Sequence, residues 1–446
     1  MKKQRCALAS VLMLASLVFS LHGSAAAATQ VAQATRPPVT INVFLEGVPD
    51  QRIISEMLPE FEAKTGIKVK FEILSYSVMR EKILPQLAAS RNSYDVIIVD
   101  KQWVGEFVYA GWLEDLGPYV ARTPTIDTKK YIPSLFKIVG ELNGKTWMLP
   151  YYNYTAALLY RKDQFEDPKI RAEYKAKTGK DLVVPTNLDD YVQVAKFFTK
   201  PQENMYGVVM ELARGVGIHK EWSPLFFGLG GYYFDKDWNP TVNSEAGVKA
   251  LRAVLDLYRN ASPPGATSYK FDDAFAFMSQ GRAAMYITYN WMLPRLNDPK
   301  QSGVAGKVAL AKTPGGVAHQ GAWGWAIPKN APNKEEAWKF ISWVESFEVA
   351  KRRALMGGSP TRADVLEDKD VLAKYPHYTL VKEILANAVT VPIYLGTAQQ
   401  YDIVSREFSA VVAQGKDPKV ALDDLNKGMA DLIKEDPLVK QYKSRR

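Results

Sequence analysis

The sequence predicts an α/β protein made of two bodies with a ligand cleft between them, and three observations carry that prediction. The first is the alternation of strand and helix signals over residues 40–100, which ends in the apolar run Asp95-Val96-Ile97-Ile98-Val99-Asp100. An uninterrupted run suits a strand buried on both faces of a parallel sheet, and the strand–helix–strand order suits an open α/β sheet. The second is the stretch 147–163 (WMLPYYNYTAALLYRKD), which begins apolar, passes three tyrosines and an asparagine, and turns apolar again. A chain that leaves one body, crosses hydrogen-bonding ground and enters another needs such a segment, with 156–160 as a buried strand. Taken alone, an ordinary buried strand with tyrosines at its edge also accounts for it. The third is size: 446 residues, 47% hydrophobic and 24% charged, suffice for two or three domain-sized cores.

The elements follow in order. Residues 40–45 read as a short strand ending at Glu46-Gly47. Pro49-Asp50 can open a helix in which Ile53, Ile54, Met57, Leu58 and Phe61 recur with helical period, and Thr65-Gly66 stops it. Residues 67–73 alternate as a strand, and 79–89 are helical in period with Pro85 as a kink. The glycine-flanked stretch 140–146 is one residue short of a phosphate loop and reads as a turn. Beyond the crossing stretch, 185–198 is a periodic helix that Thr186 or Asn187 can cap. A strand at 206–211, an aromatic, glycine-rich segment at 221–233 and an amphipathic helix at 244–258 come next. A helix at 271–280 closes on Gly281, strands are predicted at 282–289 and 308–313, and 320–328 includes Gly321-Ala322-Trp323-Gly324-Trp325. A helix at 333–345 carries Ala337, Phe340, Ile341 and Val344 on one face. The remainder is helical in roughly three segments, without internal repeats.

The N-terminus and the charge narrow the class. Lys2, Lys3 and Arg5 precede an apolar stretch at 7–21 and small residues at 25–28, the pattern of a cleaved secretory signal; 29–39 read as a flexible lead-in. The single cysteine, Cys6, precedes the apolar stretch, where no lipoprotein cysteine would stand. Without the signal no cysteine remains, which removes disulfides, thiol nucleophiles and cysteine metal sites. Losing the three basic residues lowers the formal charge from +9 to +6, and Lys and Arg are scattered, so no nucleic-acid partner is expected. His219, His319 and His377 stand far apart in sequence, with no HExxH, so no metal or other cofactor is expected.

In open α/β sheets ligands sit beyond the carboxyl ends of the strands. Glu46 and Asp100 lie at such ends, with Trp103 close behind Asp100. Either carboxylate could instead be a solvated loop residue.

Taken together, residues 61–69 (FEAKTGIKV), 95–116 (DVIIVDKQWVGEFVYAGWLEDL), 143–163, 280–285 (QGRAAM), 324–345 and 357–362 (GGSPTR) resemble, in order, the periplasmic sugar-binding proteins of ABC importers. That extracellular solute-binding family includes the maltose- and trehalose/maltose-binding proteins. The resemblance implies a two-lobed periplasmic-binding-protein fold with discontinuous lobes, a hinge and an interlobe cleft. Lobe one would take 40–153 plus 288–328, and lobe two 154–287 plus 329–446. It implies a periplasmic monomer that closes on a sugar or polyol and docks on an inner-membrane ABC transporter permease. Positions matching Asp100, Tyr152, Tyr289, Gly321, Trp323 and Arg362 would face the sugar. Tyr154 and Ala322 depart from the relatives' usual residues.

A sugar or polyol offers C–H patches to aromatic faces and hydroxyls to charged and amide groups. Trp323, Tyr152, Tyr289, Trp222 and Trp291 are candidate platforms; Asp100, Glu46 and Arg362 are candidate hydrogen-bonding partners, each worth roughly 1.5–3 kcal/mol. Gly321 and Gly324 bracket Ala322-Trp323, which leaves room for a ligand at the backbone. Two other readings are kept. A glycoside hydrolase would use Glu46 and Asp100 as its carboxylate pair, but no third catalytic partner is visible. The same fold could instead take a peptide, a polyamine or a phosphorylated compound.

Overall fold

The computed structural model describes residues 39–444; the expected export signal (1–28) and the lead-in up to residue 38 lie outside the described residues. Strands β1 (Thr40–Glu46), β2 (Lys68–Leu74) and β3 (Val96–Asp100) are parallel, joined by crossover helices α1 (Pro49–Thr65) and α2 (Tyr76–Ala88). The local chemistry explains the boundaries. Pro49 sits in the first turn of α1, and Gly66 ends it at φ 70°, donating its N–H to the Glu62 carbonyl. Pro85 lies inside α2 without ending it. β3 is buried throughout, as its apolar run predicts. The 140–146 stretch is a hairpin of β4 (Glu141–Leu142) and β5 (Lys145–Thr146), turning through Asn143 and Gly144 at φ 56° and 74°.

The organising strand is β6 (Leu149–Arg161), with β7 (Tyr206–Val208), β8 (Ala283–Tyr289), β9 (Val308–Ala311) and β10 (Gln320–Ala326) following in the chain. The sheet order is β2-β1-β3-β10-β6-β8-β7, with β9 also on β6. β6 changes partner midway. From Leu149 to Thr155 it pairs antiparallel with β10; from Ala156 to Tyr160 it pairs with β8. The tyrosine-rich half of the crossing stretch is thus strand together with the 156–160 run.

Two hydrophobic cores flank this change. One holds β1–β3, β10 and the first half of β6 and extends past the change to Ala157, Leu159, Phe277 and Tyr286; the other holds Leu158, the helix Val216–Gly228 and the helix Glu245–Ala261. The helices after β10 do not all join the second core. Phe340, on Lys334–Val344, packs edge-on against Phe61 of α1 at 5.7 Å and against Trp325 at 5.7 Å. Arg352, on Phe347–Leu355, donates to Glu60 of α1 at 2.6 Å. The expected assignment of all of 329–446 to lobe two does not follow this packing, because the apolar stripe of the helix finds its complement on α1. Val389 then bridges back beside β10, exchanging 2.8 Å bonds with Ala318 and Gln320, and Thr397–Gln414 and Pro418–Ile433 join the second core.

Some elements differ from expectation. The 206–211 strand is regular only at Tyr206–Val208, and the aromatic, glycine-rich segment is largely the helix Val216–Gly228. Asn187 rather than Thr186 caps Leu188–Phe198, accepting from Asp190 N–H at 2.9 Å. After Leu355 the described residues form six helices rather than three.

Candidate functional site

The sheet register assembles the site. β1 and β3, parallel neighbours, end side by side at Glu46 and Asp100. β10 runs antiparallel to β3 and sets Trp323 opposite Asp100; β6 sets Tyr152 opposite Trp323 and Tyr154 opposite Gly321. Six of the residues expected at a cleft thus meet through strand pairing alone.

Asp100 is buried, and phenols clasp both its oxygens: Tyr154 donates to Oδ1 at 2.6 Å and Tyr76 to Oδ2 at 3.0 Å. Burial pushes its carboxyl above the usual range, against the pull of the Tyr154 hydrogen bond and of Lys101. Tyr152 donates to Glu46 Oε2 in a short hydrogen bond. Burial lifts the Glu46 carboxyl to about 7, opposed by that hydrogen bond and reinforced by the charge on Asp100.

An aromatic shell surrounds these carboxylates. The Trp323 ring stacks on Tyr152 at 6.1 Å and 24°, and meets Trp103 and Tyr76 edge-on at 5.3 and 5.9 Å. Tyr289 meets Tyr154 edge-on at 5.1 Å. Trp291 packs on Phe271 at 4.9 Å, and Phe271 stacks on Tyr289 at 6.5 Å. Gly321 is needed for a reason other than ligand access: a Cβ there would lie 1.9 Å from the Tyr154 ring, which occupies the room, while Met148 fills the space at Gly324.

Two expected site residues lie elsewhere. Trp222 is fully buried in the second core, stacked on Phe226 at 4.3 Å, with its indole N–H donated to the Gly247 carbonyl at 3.1 Å. Arg362 commits its fork to Asp364 at 3.0 and 2.8 Å and to the Glu345 carbonyl at 3.1 Å, and its guanidinium lies over Tyr131. These local partners outcompete any reach toward Asp100.

Sequence reasoning missed Tyr76, although it follows the carboxyl end of β2 as Glu46 and Asp100 close β1 and β3. It also missed Lys101. This buried ammonium donates to Thr390 Oγ1 at 2.6 Å and to the Val391 carbonyl at 3.2 Å; burial depresses its pKa against the pull of Asp100. A second buried charge group joins Lys220 to Glu221 at 2.8 Å and to Glu211 at 3.1 Å, and Tyr286 donates to Glu211. His219 and His319, distant in sequence, have rings 5.0 Å apart, and burial holds both uncharged. Among the described residues no group of three or more His, Cys, Asp or Glu is arranged to hold a metal ion, and no helix is long and apolar enough to cross a membrane.

Comparison with known proteins places this geometry. A solute-binding protein from Agrobacterium radiobacter K84, solved in complex with ribitol, superposes with a TM-score of 0.80 at 28% identity, covering 89% of this chain and all of that one. The erythritol/L-threitol-binding protein of Mycolicibacterium smegmatis is 24% identical over 352 residues, 74% of this chain and 71% of its own. A probable amino-acid ABC transporter periplasmic-binding protein of Sinorhizobium fredii is 26% identical over 368 residues, 82% of this chain and 83% of its own. Residues 47–351 match the profile of the bacterial extracellular solute-binding proteins, and the chain belongs to that family.

Proposed function

We propose that the protein captures a small polyol or sugar in the periplasm and delivers it to an ABC transporter permease by lobe closure. The observation that carries this reading is the pair Glu46 and Asp100, set among Trp and Tyr rings with the neighbouring Lys101 ammonium already engaged. Carboxylates accept from hydroxyls and aromatic faces cover C–H patches. An amino acid would need a cation for its own carboxylate. Lys101 is held by Thr390 and Val391, Lys220 by two glutamates, and Arg362 by Asp364. The ribitol-complexed neighbour and the erythritol/L-threitol-binding relative support the same ligand class. The near-complete burial of Asp100, Tyr152 and Trp323 favours a compact ligand over a long oligosaccharide.

In this reading the two lobes are the bodies around the two cores, the protein acts as a monomer with a cleaved signal and no lipid anchor, and it performs no chemistry on its ligand. A polyamine is the second reading, favoured by the excess of carboxylates over cations in the cleft. Thermal shift and tryptophan fluorescence against polyols, mono- and disaccharides, amino acids and polyamines decide between them. A polyol or sugar should raise the melting temperature and change the emission. A response to amino acids or polyamines alone would overturn the assignment.

A further inference from the structure

The carboxylate-bearing wall of the proposed site comes from the first core, and a closing cleft needs partners from the second. Several buried polar groups around the change of strand partner lack a hydrogen-bond partner among the described residues, the Tyr401 hydroxyl and the Asn290 amide nitrogen among them. Tyr401 stands on the helix Thr397–Gln414, in the second core, and is 5% exposed. The His219 ring braces it at 4.6 Å, and the Lys101 ammonium lies 5.6 Å from its centroid. Lys101 is the residue next to Asp100, so its side chain reaches from the end of β3 to the Tyr401 ring. Its phenol is held far above the ordinary tyrosine value by burial, then by Tyr233, Asp100, Tyr289 and Tyr76; three of those four belong to the site described above. Asn290 is 1% exposed and follows Tyr289; its Oδ1 accepts from Thr155 N–H at 3.1 Å, where β6 leaves β10 for β8.

We infer that Tyr401 and Asn290 are ligand-binding residues, Tyr401 taking a hydroxyl of an uncharged polyol from the second core and Asn290 one from the point where β6 changes partner, while Asp100 and Glu46 accept from the first core. This inference rests on the polyol reading and sharpens it. A hydroxyl both donates and accepts. It can therefore donate a hydrogen bond to a carboxylate and accept one from the Asn290 amide, and Tyr401 can serve either way. An ammonium only donates and would leave the amide unmet; a carboxylate only accepts and would face Asp100 and Glu46. Leaving such groups buried and unpaired is costly, so binding is favoured by a ligand that satisfies them together.

Tyr401→Phe tests the assignment, with ribitol, erythritol, mannitol and maltose as probes in calorimetric titration and thermal melts. Deleting an unpartnered buried hydroxyl should leave the ligand-free melting temperature unchanged or higher, while Kd for the bound probe rises at least fivefold. A residue with a merely structural role would give the reverse: a lower melting temperature with Kd unchanged. Wild-type binding with Kd unaltered within twofold in the variant overturns this assignment and leaves the polyol reading standing. Failure of the wild type to bind any of the four overturns both.

Discussion

Ionisation at Glu46 is costly because its carboxyl has lost solvent, which the hydrogen bond from Tyr152 offsets in part. Its folded-state value, about 7 against an ordinary 4.5, is raised, so the stability linked to its proton is fully present below about pH 4.5 and lost as pH rises through about 7. At about 1.4 kcal/mol per unit, the loss amounts to roughly 3 kcal/mol. Glu46→Gln keeps an acceptor for Tyr152 and removes the titration. Its denaturant midpoint should gain on wild type progressively from pH 5 to pH 8; a gap that stays constant with pH would show that Glu46 ionises freely. The tryptophans separate just as cleanly. Trp323→Ala deletes the ring stacked on Tyr152 and should raise Kd for the polyol at least tenfold, at a stability cost of about 3–5 kcal/mol because the ring is buried. Trp222→Phe should leave Kd within twofold in titrations of folded protein, since its neighbours are Phe226 and Phe408.

Among the elements, the pairing of β6 with β10 decides whether the site exists. Gly321 faces Tyr154 across that pairing, and the phenol that lies over it is the one that holds Asp100 Oδ1. Gly321→Ala places a methyl where the ring lies, so the ring must move and the 2.6 Å bond must break. We expect polyol affinity to fall at least tenfold, with a melting temperature several degrees lower; a variant with unaltered affinity would show that the Tyr154–Asp100 bond does not shape the site. Much of this layout was legible in the sequence. The carboxyl-end rule located Glu46 and Asp100, the apolar run marked β3, and the aromatic crossing stretch marked β6. Tyr76 obeys the same rule and could have been found. Long-range pairing was not legible. Nothing in the spacing of Arg362 and Asp364 announces that the fork closes on its own neighbour, or that Trp222 stacks inside a core. The phenol over Gly321 was equally hidden, because sequence shows a glycine's freedom and not what fills it. Tyr401 lies about 300 residues from Asp100, and helical periodicity alone cannot tell a core-facing ring from one that faces a cleft.

For the whole molecule, function requires that closure be weakly favoured without ligand and strongly favoured with it. Lys101 is placed to set that balance. It leaves the end of β3 in the first core and donates to Thr390 Oγ1 and to the carbonyl of Val391, a residue of the second core. Hydrogen bonds to a charged group contribute roughly 1.5–3 kcal/mol, and one that spans two bodies acts only when they are together. Thr390→Val keeps the side-chain shape and removes the acceptor, leaving the ammonium one partner short in the closed form. If the tie stabilises closure, the ligand must do more of the work, and Kd should rise about tenfold, the equivalent of about 1.4 kcal/mol. The contraction seen by small-angle scattering at saturating polyol should persist, because excess ligand can still close the lobes, but its midpoint should move to higher polyol concentration. Tyr401→Phe offers the contrast: it removes a proposed ligand contact and leaves this tie in place. In ligand-free protein, Thr390→Val alone should enlarge the radius of gyration. Should Thr390→Val leave both the midpoint and the ligand-free radius unchanged, Lys101 would be a buried anchor of the second core's loop with no part in closure.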